Sequence, residues 1–292
     1  MTMPEPECKR IEVEGAELEV FIGGPEGPGV PTVCATHPFG PMAAESVSLL
    51  SRLAQARVLC INPRGVGGSS PRARPEDVTL ERIVEDVEAI RRASGIGPWV
   101  FWGMSAGSFV GQLYALRYPA ALSGLILSSA GPYFRYTVGD PACVLSPSFP
   151  AWRERLASAG LLDDVAQGQD VVTVSADTME VEKVAGVGWV FRLRNGPTLL
   201  VHPEEPPLQF RRILPALWAF DARGWLGSVR VPTLVMCGTA DPLVPLARGR
   251  AVHEAIPGSE FLTLEGVGHS PITERPQEVA EAVQRFLATS VR

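Results

Sequence analysis

The stretch WVFWGMSAGSFVGQLYALRY, residues 99–118, changes from one kind of hydrophobic order to another within a few residues. Trp99 to Trp102 is a short aromatic and β-branched run entered from Pro98, which reads as a buried strand. Phe109, Leu113 and Leu116 then recur at helical spacing, with Val110 and Tyr114 widening the stripe. Between the two lies Gly103-Met104-Ser105-Ala106-Gly107. A strand-to-helix turn this tight strains the serine backbone and leaves no room for a Cβ two positions to either side, so glycine is needed at both. Ser105 is thereby pushed out of the sheet. It also sits at a helix N-terminus, where free N–H groups and the positive dipole end favour a developing oxyanion. A Gly-rich helix start would give the same letters, so the reading depends on whether an acid and a histidine come later in the chain, in that order.

The bulk properties bound the answer. With 292 residues, 46% hydrophobic and 20% charged, the chain has the balance of a globular protein with a sizeable core. The net charge of −6 and the scatter of the basic residues, of which only Lys9 and Lys183 are lysine, argue against a nucleic-acid surface. The prolines and acids of MTMPEPECKR do not read as a secretory signal, and no apolar run reaches membrane-spanning length, so a cytoplasmic protein without a membrane partner is expected. Five cysteines without a C-x-x-C, three of them (Cys34, Cys60, Cys237) in apolar runs, read as small hydrophobes. His37, His202, His253 and His269 are far apart in sequence and form no H-x-x-x-H pair, so no metal site and no cofactor are expected. The oligomeric state is not legible.

Taken in order, Lys9 to Val13 and Glu17 to Ile22 read as an antiparallel edge hairpin turning at Glu14-Gly15-Ala16. A strand over Pro31 to Thr36, a helix burying Val47, Leu50 and Leu53, and a strand over Arg57 to Asn62 come next. Thr79 caps a helix whose apolar stripe is Leu80, Ile83, Val84, Val87 and Ile90. After residues 99–118 comes a strand over Leu122 to Leu127. The alternation then stops between Gly131 and about Asp221. That block reads as a helix over Ala151 to Ala159, a strand over Val171 to Val174, and a hairpin from Val187 to Val201 turning at Asn195-Gly196. It resumes with strands at Thr233 to Cys237 and Glu260 to Leu264 and helices at Ala247 to Ile256 and Gln277 to Ala288. The expectation is an α/β core over 1–131 and 221–292, with 132–220 inserted as a lid.

Two segments of the resumed sheet carry further chemistry, Cys237-Gly238-Thr239-Ala240-Asp241 and Gly266-Val267-Gly268-His269, each directly after a strand. With the Ser105 turn they resemble the α/β-hydrolase superfamily, in which nucleophile, acid and histidine occur in that chain order. The resemblance implies an eight-stranded, mostly parallel sheet with helices on both faces. It also implies that Ser105 is the nucleophile, His269 its base and Asp241 the group orienting the imidazole. The oxyanion donors it implies are the N–H of Ala106 and, on the loop His37-Pro38-Phe39-Gly40, that of Phe39; Pro38 is a departure, because proline has no N–H and a fixed φ. His37 itself reads as a loop residue rather than a base. Asn62-Pro63-Arg64-Gly65 looks like the family's D-x-R-G turn with Asn in place of Asp, and Arg64 is expected to tie loops together. Serine in the turn speaks against the dehalogenase and epoxide-hydrolase branches. The RGVGGSSP turn loosely resembles proline iminopeptidases, although Met104 stands where they have tryptophan.

Three functional readings are open. The first is a serine hydrolase of an ester, lactone or amide of a small, largely apolar molecule, with Met104, Phe134, Trp152, Trp189 and Phe191 as pocket candidates and most of the lid aromatics expected to be lid core. The second is an aminopeptidase, which would need lid carboxylates such as Glu180, Glu182, Glu204 or Glu205 to hold an ammonium. The third is a lyase or cyclase that keeps the fold for non-hydrolytic chemistry.

Overall fold

Side-chain alternation on a pleated strand explains the centre of the molecule. Trp99 and Phe101 pack into one apolar cluster and Val100 and Trp102 into another, with none of the four more than 2% exposed. A strand buried on both faces belongs inside a sheet that has helices on both sides. The computed structural model describes residues 5–72, 74, 77–135, 140–161, 179–194 and 198–291, and it has this architecture.

The chain opens with β1 (Glu7–Val13) and β2 (Ala16–Gly23), the expected antiparallel hairpin. β3 (Thr32–Thr36), α1 (Ala44–Ala54) and β4 (Arg57–Ile61) come next. α2 (Leu80–Ala93) starts where Thr79 Oγ1 accepts the Arg82 N–H at 3.1 Å, and it buries all five residues of its stripe. After it come β5 (Trp99–Met104), α3 (Ala106–Arg117) and β6 (Leu122–Ser128). α3 differs from an amphipathic surface helix: every residue from Ala106 to Ala115 is buried, while Leu116, expected on the buried stripe, is 38% exposed. The reason is that α3 is covered on its outer side as well, by Phe134 and Phe220 against Phe109.

The segment between β6 and the next core strand holds α4 (Pro150–Ser158), a three-stranded antiparallel sheet of β7 (Met179–Val184), β8 (Gly188–Leu193) and β9 (Thr198–His202), and α5 (Leu208–Ala219). The expected hairpin is β8 and β9, its Asn195-Gly196 tip falling outside the described residues, as does the strand expected over Val171 to Val174. Sequence reading missed β7 and α5. The neck of the insertion is closed where Ala222 N–H donates to Pro132 O at 2.7 Å and Tyr133 bridges Asp221. The core resumes with β10 (Thr233–Gly238), α6 (Leu246–Ala255), β11 (Glu260–Leu264), α7 (Pro271–Glu274) and α8 (Pro276–Ser290).

The eight core strands lie in the order β1-β2-β4-β3-β5-β6-β10-β11, parallel from β4 to β11, with the β1–β2 hairpin antiparallel at one edge. Helices α1 and α8 cover one face through Val47, Leu50, Val283 and Phe286. The other face carries α2, α3 and α6, and the same apolar cluster continues without a break into the insertion through Phe210, Ile213 and Leu214. Truncating Phe101, fully buried at the centre of this layer, would cost about 3–5 kcal/mol.

Candidate active site

Three strand ends converge at one edge of the sheet. β5 delivers Ser105, whose backbone is held at φ 52° and ψ −123°, a left-handed conformation that costs a non-glycine residue of order 1–3 kcal/mol. The flanking glycines are required by contact: a Cβ on Gly103 would lie 2.5 Å from Gly107 O, and one on Gly107 2.6 Å from Thr36 O. The turn is thus pressed between α3 and the end of β3. β10 leads to Asp241 and β11 to His269.

The side chains of all three residues meet. His269 Nε2 is 2.9 Å from Ser105 Oγ, and His269 Nδ1 is 2.9 Å from Asp241 Oδ2. Asp241 Oδ1 also accepts the N–H groups of Leu243 at 2.8 Å and Val244 at 2.9 Å, so the carboxylate, whose side chain is 0% exposed, is oriented by backbone donors. A carboxylate facing Nδ1 places the imidazole proton there. Nε2 is left to accept the Ser105 O–H. The histidine loop is fixed as well: Ser129 Oγ donates to His269 O at 3.0 Å, and Glu274 accepts from Gly268 and Ser270 N–H. The buried thiols nearest these loops are unreactive by comparison, because burial pushes Cys143 and Cys237 up to about 12.

Loop 37–40 runs along the same edge. His37 Nδ1 accepts the Gly40 N–H at 2.8 Å, and burial, with His269 nearby, lowers its pKa to about 4, so the ring is neutral at physiological pH. Its neutrality and its bond to Gly40 fit the loop role expected from sequence. Arg72 holds the Pro38 carbonyl at 2.9 Å through Nη2 and the Arg64 carbonyl at 2.8 Å through Nε. Arg64 is bonded to Asp86 by Nε and Nη2 at 2.8 and 2.9 Å and to Asp77 at 3.3 Å, the loop-tying role expected for it. Asn62 donates to both Glu19 Oε2 and Met42 O, at 2.7 and 2.9 Å. An aspartate could not supply those two N–H groups, which accounts for the amide at this position.

Ser105 and His269 open into a cavity of about 290 Å³. Phe39, Met104, Ala106 and Phe109 line it from the core, and Phe134, Leu145, His202 and Phe210 from the insertion. Of the pocket candidates Met104 and Phe134 reach it; Trp152, Trp189 and Phe191 do not. Trp152 is buried among Leu156, Val190 and Val201 and gives its Nε1–H to Val144 O at 2.6 Å. Trp189 lies under the Arg211 guanidinium at 4.8 Å. Phe191 stands behind Phe210, edge-on at 5.9 Å. Phe210 and His202 were missed because α5 and the end of β9 were not placed. The apolar residues Phe210, Ile213, Leu214 and Leu217 at helical spacing were the signal for α5, interrupted by Pro215.

Two family models match the chain, "alpha/beta hydrolase fold" over residues 37–172 and "TAP-like protein" over 220–291. The chain belongs to the α/β-hydrolase superfamily. Among curated proteins it is 24% identical to "Putative carbamate hydrolase RutD" of Escherichia coli (strain UTI89 / UPEC), over 89% of this chain and 90% of that one. Among solved structures it resembles an α/β fold family hydrolase from Bacillus anthracis str. Sterne, with a TM-score of 0.72 and 19% identity over 98% of this chain and 100% of the other. The enol-lactonase from Burkholderia xenovorans LB400 matches with a TM-score of 0.63 and 20% identity, over 96% and 100%. The protein is accordingly a hydrolase of the α/β fold. Among the described residues, no group of three His, Cys, Asp or Glu side chains could hold a metal, and no helix is long and apolar enough to cross a membrane.

Proposed function

We propose that this protein is a serine hydrolase acting through an acyl-enzyme on an ester, lactone or related acyl bond of a small, largely apolar molecule. The observation that carries the reading is the Ser105–His269–Asp241 chain of contacts, 2.9 Å at each link, opening into an apolar cavity. Ser105 Oγ attacks the carbonyl carbon while its proton passes to His269 Nε2. The imidazolium, stabilised by Asp241, returns that proton to the leaving oxygen or nitrogen as the acyl bond breaks. Water, deprotonated by the same nitrogen, then releases the acid and restores the serine.

The oxyanion is held by the N–H groups of Ala106 and Phe39. Arg72 supports the second assignment despite Pro38: in a trans peptide C=O and N–H point in opposite directions, so a guanidinium fixing the Pro38 carbonyl also fixes the direction of the Phe39 N–H. A charge-assisted bond also polarises that peptide and strengthens the donor. The cavity volume lies at the lower end of the range for small-molecule sites. Two proteins that this chain resembles are named for a carbamate and an enol lactone, both substrates cleaved at a carbonyl.

Nothing among the described residues favours an aminopeptidase. Glu180, Glu182 and Glu205 pair with Arg194, Arg192 and Arg211, and neither these nor Glu204 lines the cavity. The test is labelling by a fluorophosphonate: folded protein should be modified at Ser105, Ser105→Ala should not, and His269→Ala should react far more slowly. Folded wild-type protein that stays unlabelled would remove the serine-hydrolase reading and leave a non-hydrolytic use of the fold.

A further inference from the structure

A second cavity of about 300 Å³ lies on the other side of the Ser105 turn, between α1, the end of β3 and α7. Its walls include Leu49 and Leu50 of α1, Trp102 of β5 and Ile272 of α7. Two of the polar groups around it are satisfied inside the protein: Thr36 Oγ1 donates to Ile61 O at 2.7 Å, and Trp102 Nε1–H donates to Ser128 Oγ at 3.0 Å. An occupant meets chiefly apolar surface. Met104 and His37 are lining residues of this cavity and of the cavity that holds Ser105, so they form the partition between the two.

We propose that the cavity under α1 is the acyl pocket of the enzyme and that it takes an unbranched or lightly branched aliphatic chain. The proposal rests on the serine-hydrolase reading. The direction of the substrate is set by the proton: the leaving group must meet His269 Nε2, and His269 borders the cavity under the insertion but not the one under α1. The leaving group therefore occupies the insertion side, and the acyl chain runs past Met104 to the α1 side. A methionine suits that partition, because its unbranched thioether side chain changes rotamer at little cost. The neutral His37 adds no charge that an aliphatic chain would have to desolvate.

Leu49 stands in this second wall, outside the machinery assigned to chemistry, and it decides the matter. In a series of p-nitrophenyl esters from acetate to decanoate, kcat/KM of the wild type should rise by up to about fourfold per added methylene until the pocket is full. Leu49→Trp should leave acetate within twofold and cut octanoate at least tenfold; Leu49→Ala should move the optimum to a longer chain. Phe210→Ala, on the insertion side, should leave acyl-chain preference unchanged and alter preference among alcohols. Both Leu49 variants matching the wild-type profile, with unchanged thermal unfolding, would overturn the proposal, as would a shift produced by Phe210→Ala instead. Calorimetric binding of methyl octanoate to Ser105→Ala protein gives a readout independent of turnover: affinity should fall at least tenfold with Leu49→Trp added, and equal affinity would refute the pocket. An unlabelled Ser105 together with Leu49-dependent binding would sink the hydrolase reading and leave the pocket standing.

Discussion

The sheet core and the insertion are built on different principles. In the core, neighbouring strands β5, β6 and β10 are almost entirely buried, and Ser105, Asp241 and His269 stand on the segments that leave β5, β10 and β11. In the insertion, β7 alternates half-buried with exposed residues, and its charges pair across the surface, Glu180 with Arg194 at 3.1 Å and Glu182 with Arg192 at 3.8 Å. Such exposed pairs contribute little, typically about 0–1 kcal/mol. The insertion is held instead by apolar contact, and β8 shows how: Phe191 joins the main core while Val190 joins a separate small cluster around Trp152. One side of the insertion is therefore continuous with the core, and the other packs only on itself. Its first segment is also tied to the acid loop by Val144 N–H to Pro242 O at 2.7 Å, and to α6 by Arg248 to Asp140 at 2.6 Å. The sheet layer thus places Ser105, Asp241 and His269, and the insertion fastened to it places part of the cavity wall.

If that division holds, the largest effects come from the core. Ser105→Ala should lower kcat/KM by about 10⁴-fold or more without changing the unfolding midpoint, and Ser105→Ala with His269→Ala should be no worse than either alone. Losses that multiply would show that the two residues act independently. One step down is Arg72, which touches loop 37–40 by way of a carbonyl. Arg72→Met should reduce kcat by about 10- to 100-fold with little change in KM, less than deletion of an oxyanion donor, and Arg72→Lys should recover part of it. An equal effect on KM and kcat/KM with kcat intact would assign Arg72 to substrate binding instead.

The insertion should respond differently at its two sides. Trp152→Ala, in the outer cluster, should cost about 3 kcal/mol in denaturant unfolding and leave substrate preference unchanged, whereas Phe210→Ala should change preference among leaving groups. A change of preference with Trp152→Ala would merge the two sides. An effect confined to low pH concerns His37, whose pKa is lowered from 6.5 to about 4 in the folded protein. Between those values the unfolded chain binds the extra proton, so this stabilisation is present above pH 6.5 and is lost as pH falls toward 4, an amount on the order of 3 kcal/mol. His37→Gln should flatten that part of the pH–stability curve; an unchanged slope would place the titration elsewhere.

The sequence alone determined what depends on local spacing. The Ser105 turn was legible because β5 is short and aromatic and because Gly103 is required by a contact within the turn itself, with Gly107 O, while the contact that requires Gly107 comes from Thr36 of β3. Thr79 was legible as a cap for the same reason, since the bond it makes spans three residues. Asp241 and His269 were legible because a residue just beyond a parallel strand has one edge of the sheet to occupy. Tertiary structure decided what depends on which surface covers which. Leu116 belongs to an apolar stripe yet is exposed, because α3 is covered near its start by Phe134 and Phe220 and further along by α2, and emerges only at its last turn. Trp152, Trp189 and Phe191 are as aromatic as Phe210, and only packing distance separates a residue that lines the cavity from one standing behind it. The cavity under α1 had no sequence signal, since its walls come from α1, β3, β5 and α7 and meet only when the sheet is assembled.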